Sequence, residues 1–242
     1  MALHFLVEQA GACAVGELVT LTGAEAKHAA VVRRLRVGEE VTVGDGRGVW
    51  LSGVAEEVSP TRVDVRVAER IEHPPATPRV VLVQALAKGD RDELAVQAAC
   101  ELGVDEIVPW QAGRSVSRWE GPKAAKGRER WASIVREAAK QAHRAWVPEV
   151  APVETTAQLA ARAASQRVLL LDPTARMRLS MLQPDARDLV LVVGPEGGIS
   201  PEELARLEAA GAERVLLGDT VLRTSTAGPA AIAVLSAALG RW

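Results

Sequence analysis

Residues 188–204 read DLVLVVGPEGGISPEEL, from Asp188 to Leu204, and the fold turns on how this stretch is understood. Val190, Leu191, Val192 and Val193 form an apolar run without alternation, as expected of a strand buried on both faces of a parallel sheet. Gly194 ends the run and Pro195 stiffens the entry to the loop, while Gly197 and Gly198 can take positive φ and admit a ligand close to the backbone. Ser200 is placed as N-cap, Pro201 as first helical residue and Glu203 as the reciprocal partner of a capping box. The stretch therefore reads as strand, cradle and helix, and a ligand in the cradle would meet the free N–H groups of a helix start. An ordinary strand-to-helix turn is the plainer alternative. No GxxxxGK[ST] or GxGxxG pattern is present, so neither a nucleoside triphosphate nor a dinucleotide is indicated. A second strand and loop of the same kind comes at Arg214–Ala227, RVLLGDTVLRTSTA, and two such loops side by side suggest one pocket.

Working outward, strands are expected at 79–86 (RVVLVQAL), 105–109, 167–171, 189–193 and 214–217, with helices between them. A helix over Asp90–Leu102 closes at Gly103, another runs from about Lys126 to Trp146, and an Ala-rich one from Thr224–Thr226 to about Leu239, close-packed and suited to a subunit contact. Alternation of strand and helix means a parallel α/β sheet, with ligands at the carboxyl ends of its strands. Asp172-Pro173, GPEGG and LGDTVLRTSTA all lie at such ends. His73-Pro74-Pro75-Ala76-Thr77-Pro78 disfavours helix and central strand alike, and divides the chain into expected domains 1–73 and 74–242. The first is β-rich, with a hairpin turn at Asp45-Gly46 and a second connection at Ser59-Pro60, and is expected to form a small barrel. Its one helix, about Ala24–Leu35, puts His28, Val32 and Leu35 on one face, which makes His28 a packing residue; Arg33, Arg34 and Arg36 form an exposed cluster suited to phosphate.

The chain has 242 residues, 48% of them hydrophobic, enough for one large domain or two smaller ones. No apolar run approaches a membrane span and the N-terminal sequence lacks the pattern of a signal peptide, so no membrane is involved and the cytoplasm is the expected compartment. Cys13 and Cys100 stand far apart with no Cys/His cluster, which indicates neither disulfides nor metal. The net charge is −2, yet Arg114–Trp146 carries nine Lys/Arg against three acids. Trp119, Trp131 and Trp146 are interleaved with those charges, the character of a nucleic-acid surface, although a solvated helix would look similar. On the basic helix Arg130, Glu137, Gln141 and Arg144 share a stripe.

With these residues in hand, the chain resembles the RsmE-type family of ribosomal RNA uridine N3-methyltransferases, of the SPOUT superfamily, over nearly its whole length. The resemblance rests on His28-(x3)-Val32-Arg33-Arg34-(x3)-Gly38, Lys88-Gly89-Asp90-Arg91, Glu101-Leu-Gly-Val104, Arg136-Glu137 with Gln141 and Arg144–Pro148, Gly194–Gly198, and Leu217-Gly-(x3)-Leu222-Arg223-Thr224. It implies a PUA-like RNA-binding barrel, a knotted α/β methyltransferase domain, S-adenosylmethionine as cofactor, small-subunit (16S) ribosomal RNA as substrate and a homodimer. By the same resemblance Leu171, Gly194, Pro195, Glu196, Gly197, Gly198, Leu217, Gly218, Leu222, Arg223, Thr224 and Thr226 would hold the cofactor. Arg33, Arg34, Arg36, Lys88, Arg114 and Gln141 would contact RNA. The chain departs from the family pattern at Leu3, where Arg is usual, and at Ser225, where Glu is usual; Ser225 can serve as a helix cap.

Methylating N3 of uracil is an in-line displacement that asks the protein to position two atoms and to remove or weaken one proton, without a metal. Arg144, Arg91 and Lys88 are candidates for stabilising the uracil anion, Arg144 and Arg91 as catalytic groups. Glu137 is a possible proton acceptor, with a structural ion pair as its alternative. The rival ribose 2′-O-methyltransferase reading expects an Asn-centred motif, and this chain contains no Asn. A non-catalytic RNA-binding protein is the rival from another class.

Overall fold

The computed structural model describes residues 3–242; Met1 and Ala2, which fall in the expected 1–73 domain, lie outside the described residues. The chain divides into two compact units, one running up to Pro75 and including Ala139–Val147, the other made of Ala76–Ala138 and Pro148–Trp242. The expected single division did not anticipate that 139–147 belongs with the first unit.

In the first unit β1 (Leu3–Leu6), β2 (Leu18–Thr22), α1 (Gly23–Lys27), β3 (Glu40–Gly44), β4 (Val49–Val58) and β5 (Arg62–Glu72) come one after another. The five strands form one sheet in the order β1-β3-β4-β5-β2, parallel between β1 and β3 and antiparallel elsewhere. Val49, Leu51 and Ala55 of β4 point into a core shared with Phe5, Leu21, Val41 and Val65, as the period-two pattern requires. The pairing register with β5 shifts between Ser52 and Gly53, where the strands come so close that an added Cβ would stand 2.3 Å from the Arg66 carbonyl oxygen, so only glycine fits. At the expected hairpin turn Asp45 Oδ1 accepts from the N–H groups of Arg47 (2.7 Å) and Val49 (3.0 Å). The sequence expectation fails in the helix. After α1 the chain winds a wider turn over His28–Val32, in which the Arg33 N–H donates to the His28 carbonyl five residues back. One residue per turn too many displaces the side chains, so Ala26, Ala29 and Leu35 are buried while Val32 is 63% exposed. His28 keeps an edge contact with Phe5.

The second unit contains β6 (Val80–Ala85), α2 (Arg91–Glu101), β7 (Glu106–Trp110), most of α3 (Pro122–Gln141), β8 (Glu149–Val150), α4 (Thr156–Arg162), β9 (Arg167–Leu171), β10 (Met177–Arg178), β11 (Leu189–Val193), α5 (Pro201–Ala209), β12 (Glu213–Leu216) and α6 (Thr224–Ala238). Its seven strands are all parallel, in the order β10-β12-β9-β11-β6-β7-β8. Val81, Val83, Val190 and Val192 meet Leu159 of α4 and Leu207 of α5 on one face. On the other face α6 lies so close that a Cβ on Gly228 would stand 2.9 Å from Leu82 Cδ1.

The basic helix α3 stops at Gln141 and not at Trp146. His143 takes the left-handed conformation (φ 54°), its N–H donates to Lys140 O (3.1 Å), and the Arg144 N–H donates to Ala139 O (2.9 Å). These paired bonds are the Schellman closure of a helix, with His143 where glycine is usual. Arg144 therefore lies beyond the helix and off the expected stripe. Arg130, another member of that stripe, forms a bidentate pair with Glu93 of α2.

Candidate functional site

The path from β9 to β11 to β12 places β9 between the other two strands, so the chain leaves β9 on one side and returns on the other. Parallel sheets open a crevice at the carboxyl ends of strands where such a reversal occurs. A pocket of about 520 Å³ occupies that place. Its walls are the end of β9 and the segment after it (Leu171–Thr174), the loop after β11 (Gly194–Ile199, without Gly197) and the loop after β12 (Leu217–Arg223, without Asp219), with Arg91 from the start of α2. Its volume falls within the usual range for small-molecule sites.

The glycines of the two loops are small for different reasons. Gly198 has φ 70°, and in Gly194 a Cβ would press on Ile199 Cγ1 at 2.9 Å, so both are required by the protein itself. Gly197, expected to take positive φ, does not; an added Cβ would point to Arg114 Cβ at 3.5 Å and away from the pocket. Gly218 lines the pocket, has no left-handed φ, and a Cβ there would find no heavy atom within 4 Å. Neither a left-handed φ nor a close neighbour requires glycine at 218, and a Cβ there would stand in open space.

The loop after β11 is held from several directions. Ser200 and Glu203 form the expected capping box, and Glu203 Oε1 also accepts from the Gly113 N–H (2.8 Å) and the Thr156 hydroxyl (2.8 Å). Glu196 Oε1 accepts from the Lys88 N–H (3.2 Å) and from Arg91 Nη1 (3.0 Å). Burial works against the Glu196 charge, but its own N–H, that of Lys88 and the Arg91 guanidinium together hold its carboxyl below the usual range. The Arg114 guanidinium donates to Gly197 O at 2.9 Å. Across the pocket Asp172 accepts from the N–H and hydroxyl of Thr174 and from Arg214 Nε, and these outweigh its burial to keep the carboxyl low.

Ten of the twelve expected cofactor residues line the pocket; Gly197 and Thr226 do not. Of the catalytic candidates Arg91 lines it, Glu137 sits on α3, and Arg144 belongs to the first unit. Arg33, Arg34 and Arg36 are exposed on the first unit, with Arg34 at φ 56°, and Gln141 is exposed at the end of α3. Of the interleaved tryptophans Trp131 is buried and so is a core residue, while Trp119, edge-on against it and over Gly127, and Trp146, which donates from Nε1 to His73 O, stay partly exposed. Leu3 packs against the core of the first unit. Ser225 lies inside α6 and is not its cap; the N-cap is Arg223, and no side chain caps this helix.

Two features escaped the sequence reading. Gln84, wholly buried at the end of β6, donates from Nε2 to Thr224 Oγ1 at 2.9 Å, and Thr224 in turn donates to Gly194 O at 3.0 Å. A single polar residue inside the apolar run RVVLVQAL was the available signal. Val221, on the rim of the pocket, is 81% exposed, and nothing in the pattern marked it. Among the described residues no group of three or more His, Cys, Asp or Glu could hold a metal, and no helix is long and apolar enough to cross a membrane.

Comparison with known proteins bears on this geometry. Residues 74–236 match the family described as RNA methyltransferase domain, and residues 21–68 match RNA methyltransferase PUA domain. The chain is 44% identical to the ribosomal RNA small subunit methyltransferase E of Mycobacterium bovis, over 94% of this chain and 89% of that protein. Its identity to the Bacillus subtilis protein of the same name is 32%, over 90% and 89%. Among solved structures, the ribosomal RNA small subunit methyltransferase E of Neisseria gonorrhoeae bound to S-adenosyl methionine superposes with a TM-score of 0.88 at 28% identity, covering 98% of each chain. A methyltransferase of Legionella pneumophila, in complex with the cofactor SAM, superposes with a TM-score of 0.84 at 32% identity, over 98% of this chain and 97% of that one.

Proposed function

The chain belongs to the RNA methyltransferase family, and from that premise we propose that it is an S-adenosylmethionine-dependent enzyme that methylates N3 of a uridine in small-subunit (16S) ribosomal RNA. The observation that carries this reading is the pocket at the ends of β9, β11 and β12, lined by ten of the twelve expected cofactor residues and large enough for a nucleoside joined to an amino acid. Val193, Ile199, Leu216, Leu217 and Leu222 give the pocket apolar surface for an adenine ring, and the open loop backbones supply polar groups. The residues present thus fit S-adenosylmethionine, which when bound supplies an electrophilic methyl on a sulfonium.

The remaining work falls to the chain. Arg91 lines the pocket with its guanidinium fixed on Glu196, a cation set in place before any anion arrives. It is our candidate to stabilise the uracil as N3 loses its proton, together with Arg144; Glu137 is the candidate acceptor of that proton. Lys88, Arg114 and Gln141, with the exposed Arg33, Arg34 and Arg36, would track the phosphates of the RNA. We assign residues 1–73, with which Ala139–Val147 folds, to a PUA-like RNA-binding domain and the rest of 74–242 to a SPOUT methyltransferase domain with a trefoil knot, acting as a homodimer in the cytoplasm.

The test is chemical. Small-subunit RNA from a strain lacking this protein is incubated with the enzyme and methyl-labelled S-adenosylmethionine, then digested and mapped by mass. The expected product is one N3-methyluridine; label on a ribose 2′-oxygen or on another base contradicts the proposal.

A further inference from the structure

We infer that Gln84 is a positioning residue of the pocket: it sets the Thr224 hydroxyl and, through it, the Gly194 carbonyl, tying two of the three walls together from beneath. The inference deepens the methyltransferase reading and rests on it.

Every residue of β6 is buried, and Gln84 is paired in register with Val193, so its side chain starts from the strand end beside Gly194. An amide in such a place costs stability unless its groups are bonded, and an apolar side chain of the same length would avoid that cost. The bonds made by Gln84 explain its presence. Gly194 O can only accept, so the single hydroxyl proton of Thr224 is committed to it at 3.0 Å. Thr224 Oγ1 must then accept, and Gln84 Nε2, 2.9 Å away, is the donor. This fixes which way the amide faces: Nε2 also reaches Ala85 O at 3.3 Å, while Oε1 is left buried without a hydrogen-bond partner among the described residues.

Gly194 is the first residue of the loop after β11 and Thr224 the first residue of α6, and both line the pocket. The relay therefore joins the end of one loop to the end of the other, and the helix it anchors has no side-chain cap of its own. Because Gln84 is not among the residues that line the pocket, it acts through Thr224. Its loss should move the walls without removing a ligand contact.

The experiment uses the full chain and S-adenosylhomocysteine as probe, titrated by calorimetry into the parent, Gln84→Met, Thr224→Val and the double Gln84→Met/Thr224→Val, beside thermal melting. Met fills the volume of Gln and cannot donate; Val breaks the same relay from the other end, so the claim stays testable if one variant fails to fold. Gln84→Met and Thr224→Val are each expected to bind roughly 10- to 100-fold more weakly at little cost in melting temperature. The double variant should be no weaker than the worse single one, because both remove one relay. Without ligand, amide exchange should quicken in Gln84→Met at Thr226 and Ala227, whose N–H groups donate to Arg223 O in the first turn of α6. A folded Gln84→Met protein with parental affinity overturns the inference alone, as do effects that add in the double variant. A parent that binds no S-adenosylhomocysteine overturns the methyltransferase reading, and this inference with it.

Discussion

The loops after β11 and β12 are neighbours on one pocket and both are rich in signals, but they are built on opposite plans. In the β11 loop the special residues answer to the protein: Gly198 to its φ, Gly194 to Ile199 and Glu196 to Lys88 and Arg91, while the Gly197 carbonyl accepts from Arg114. In the β12 loop they are left open, with Gly218 facing empty space and Val221 exposed. The louder motif is thus a buttress and the quieter one a wall. A glycine pair announces that backbone must come close to something, and only its surroundings tell whether that partner is the fold or a ligand.

The contrast breaks most sharply at Gly218. Gly218→Val should leave the melting curve almost unchanged while lowering S-adenosylmethionine affinity roughly 100-fold or more, about 3 kcal/mol of overpacking in the pocket. Calorimetry beside a melting curve reads both. A tolerated valine would remove the difference between the two loops.

A second prediction uses pH to separate the pocket from the first unit. His4, stacked on Trp50, has its pKa lowered from 6.5 to about 4, by burial first and then by the charges of His143 and Lys140. The folded state keeps this ring neutral where the unfolded chain protonates it, so the unfolded state binds more protons and stability falls as pH drops from 6.5 toward 4. The loss should be on the order of 1 to 3 kcal/mol, and His4→Phe, which keeps a ring on Trp50, should flatten that limb of a pH–stability profile. A slope unchanged in His4→Phe would show that another group carries it.

Smaller effects belong to the buttress. Glu196→Gln weakens the hold of Arg91 and Lys88 on the β11 loop and should reduce cofactor affinity about 3- to 10-fold, less than Gly218→Val, since an exposed ion pair is replaced and no space is filled. Gly197→Ala should change affinity by about twofold at most, because the new methyl meets Arg114 in ordinary contact. If Gly197→Ala rivalled Gly218→Val in the same titration, the two loops would have exchanged roles.

Much of this architecture is legible in the residues. The unalternating, largely β-branched run Val190–Val193 fits a strand covered on both faces, and Ser200-Pro201 with Glu203 fixes a helix start to the residue. What escaped depends on through-space neighbours. The wider turn at His28–Val32 has no marker in a period of 3.6, and it turned Val32 outward. A left-handed histidine ended α3 where glycine was the sign to look for, which took Arg144 off its stripe. Tryptophans among arginines looked like a stacking platform, but Trp131 had a core to fill and Trp119 a glycine, Gly127, to cover. Gln84 could be noticed as a polar residue in an apolar strand, yet its partner Thr224 stands 140 residues away, out of reach of any local pattern.

The division of labour between the two loops comes down to where the ligand touches the wall, and a crystal structure of the protein with S-adenosylhomocysteine measures that directly. The expected map shows the ligand against the Gly218 backbone, enclosed by Leu171 and Leu222, with Gly197 behind the loop and out of contact. Density for the ligand packed on Gly197, or seated away from the ends of β9, β11 and β12, would contradict it.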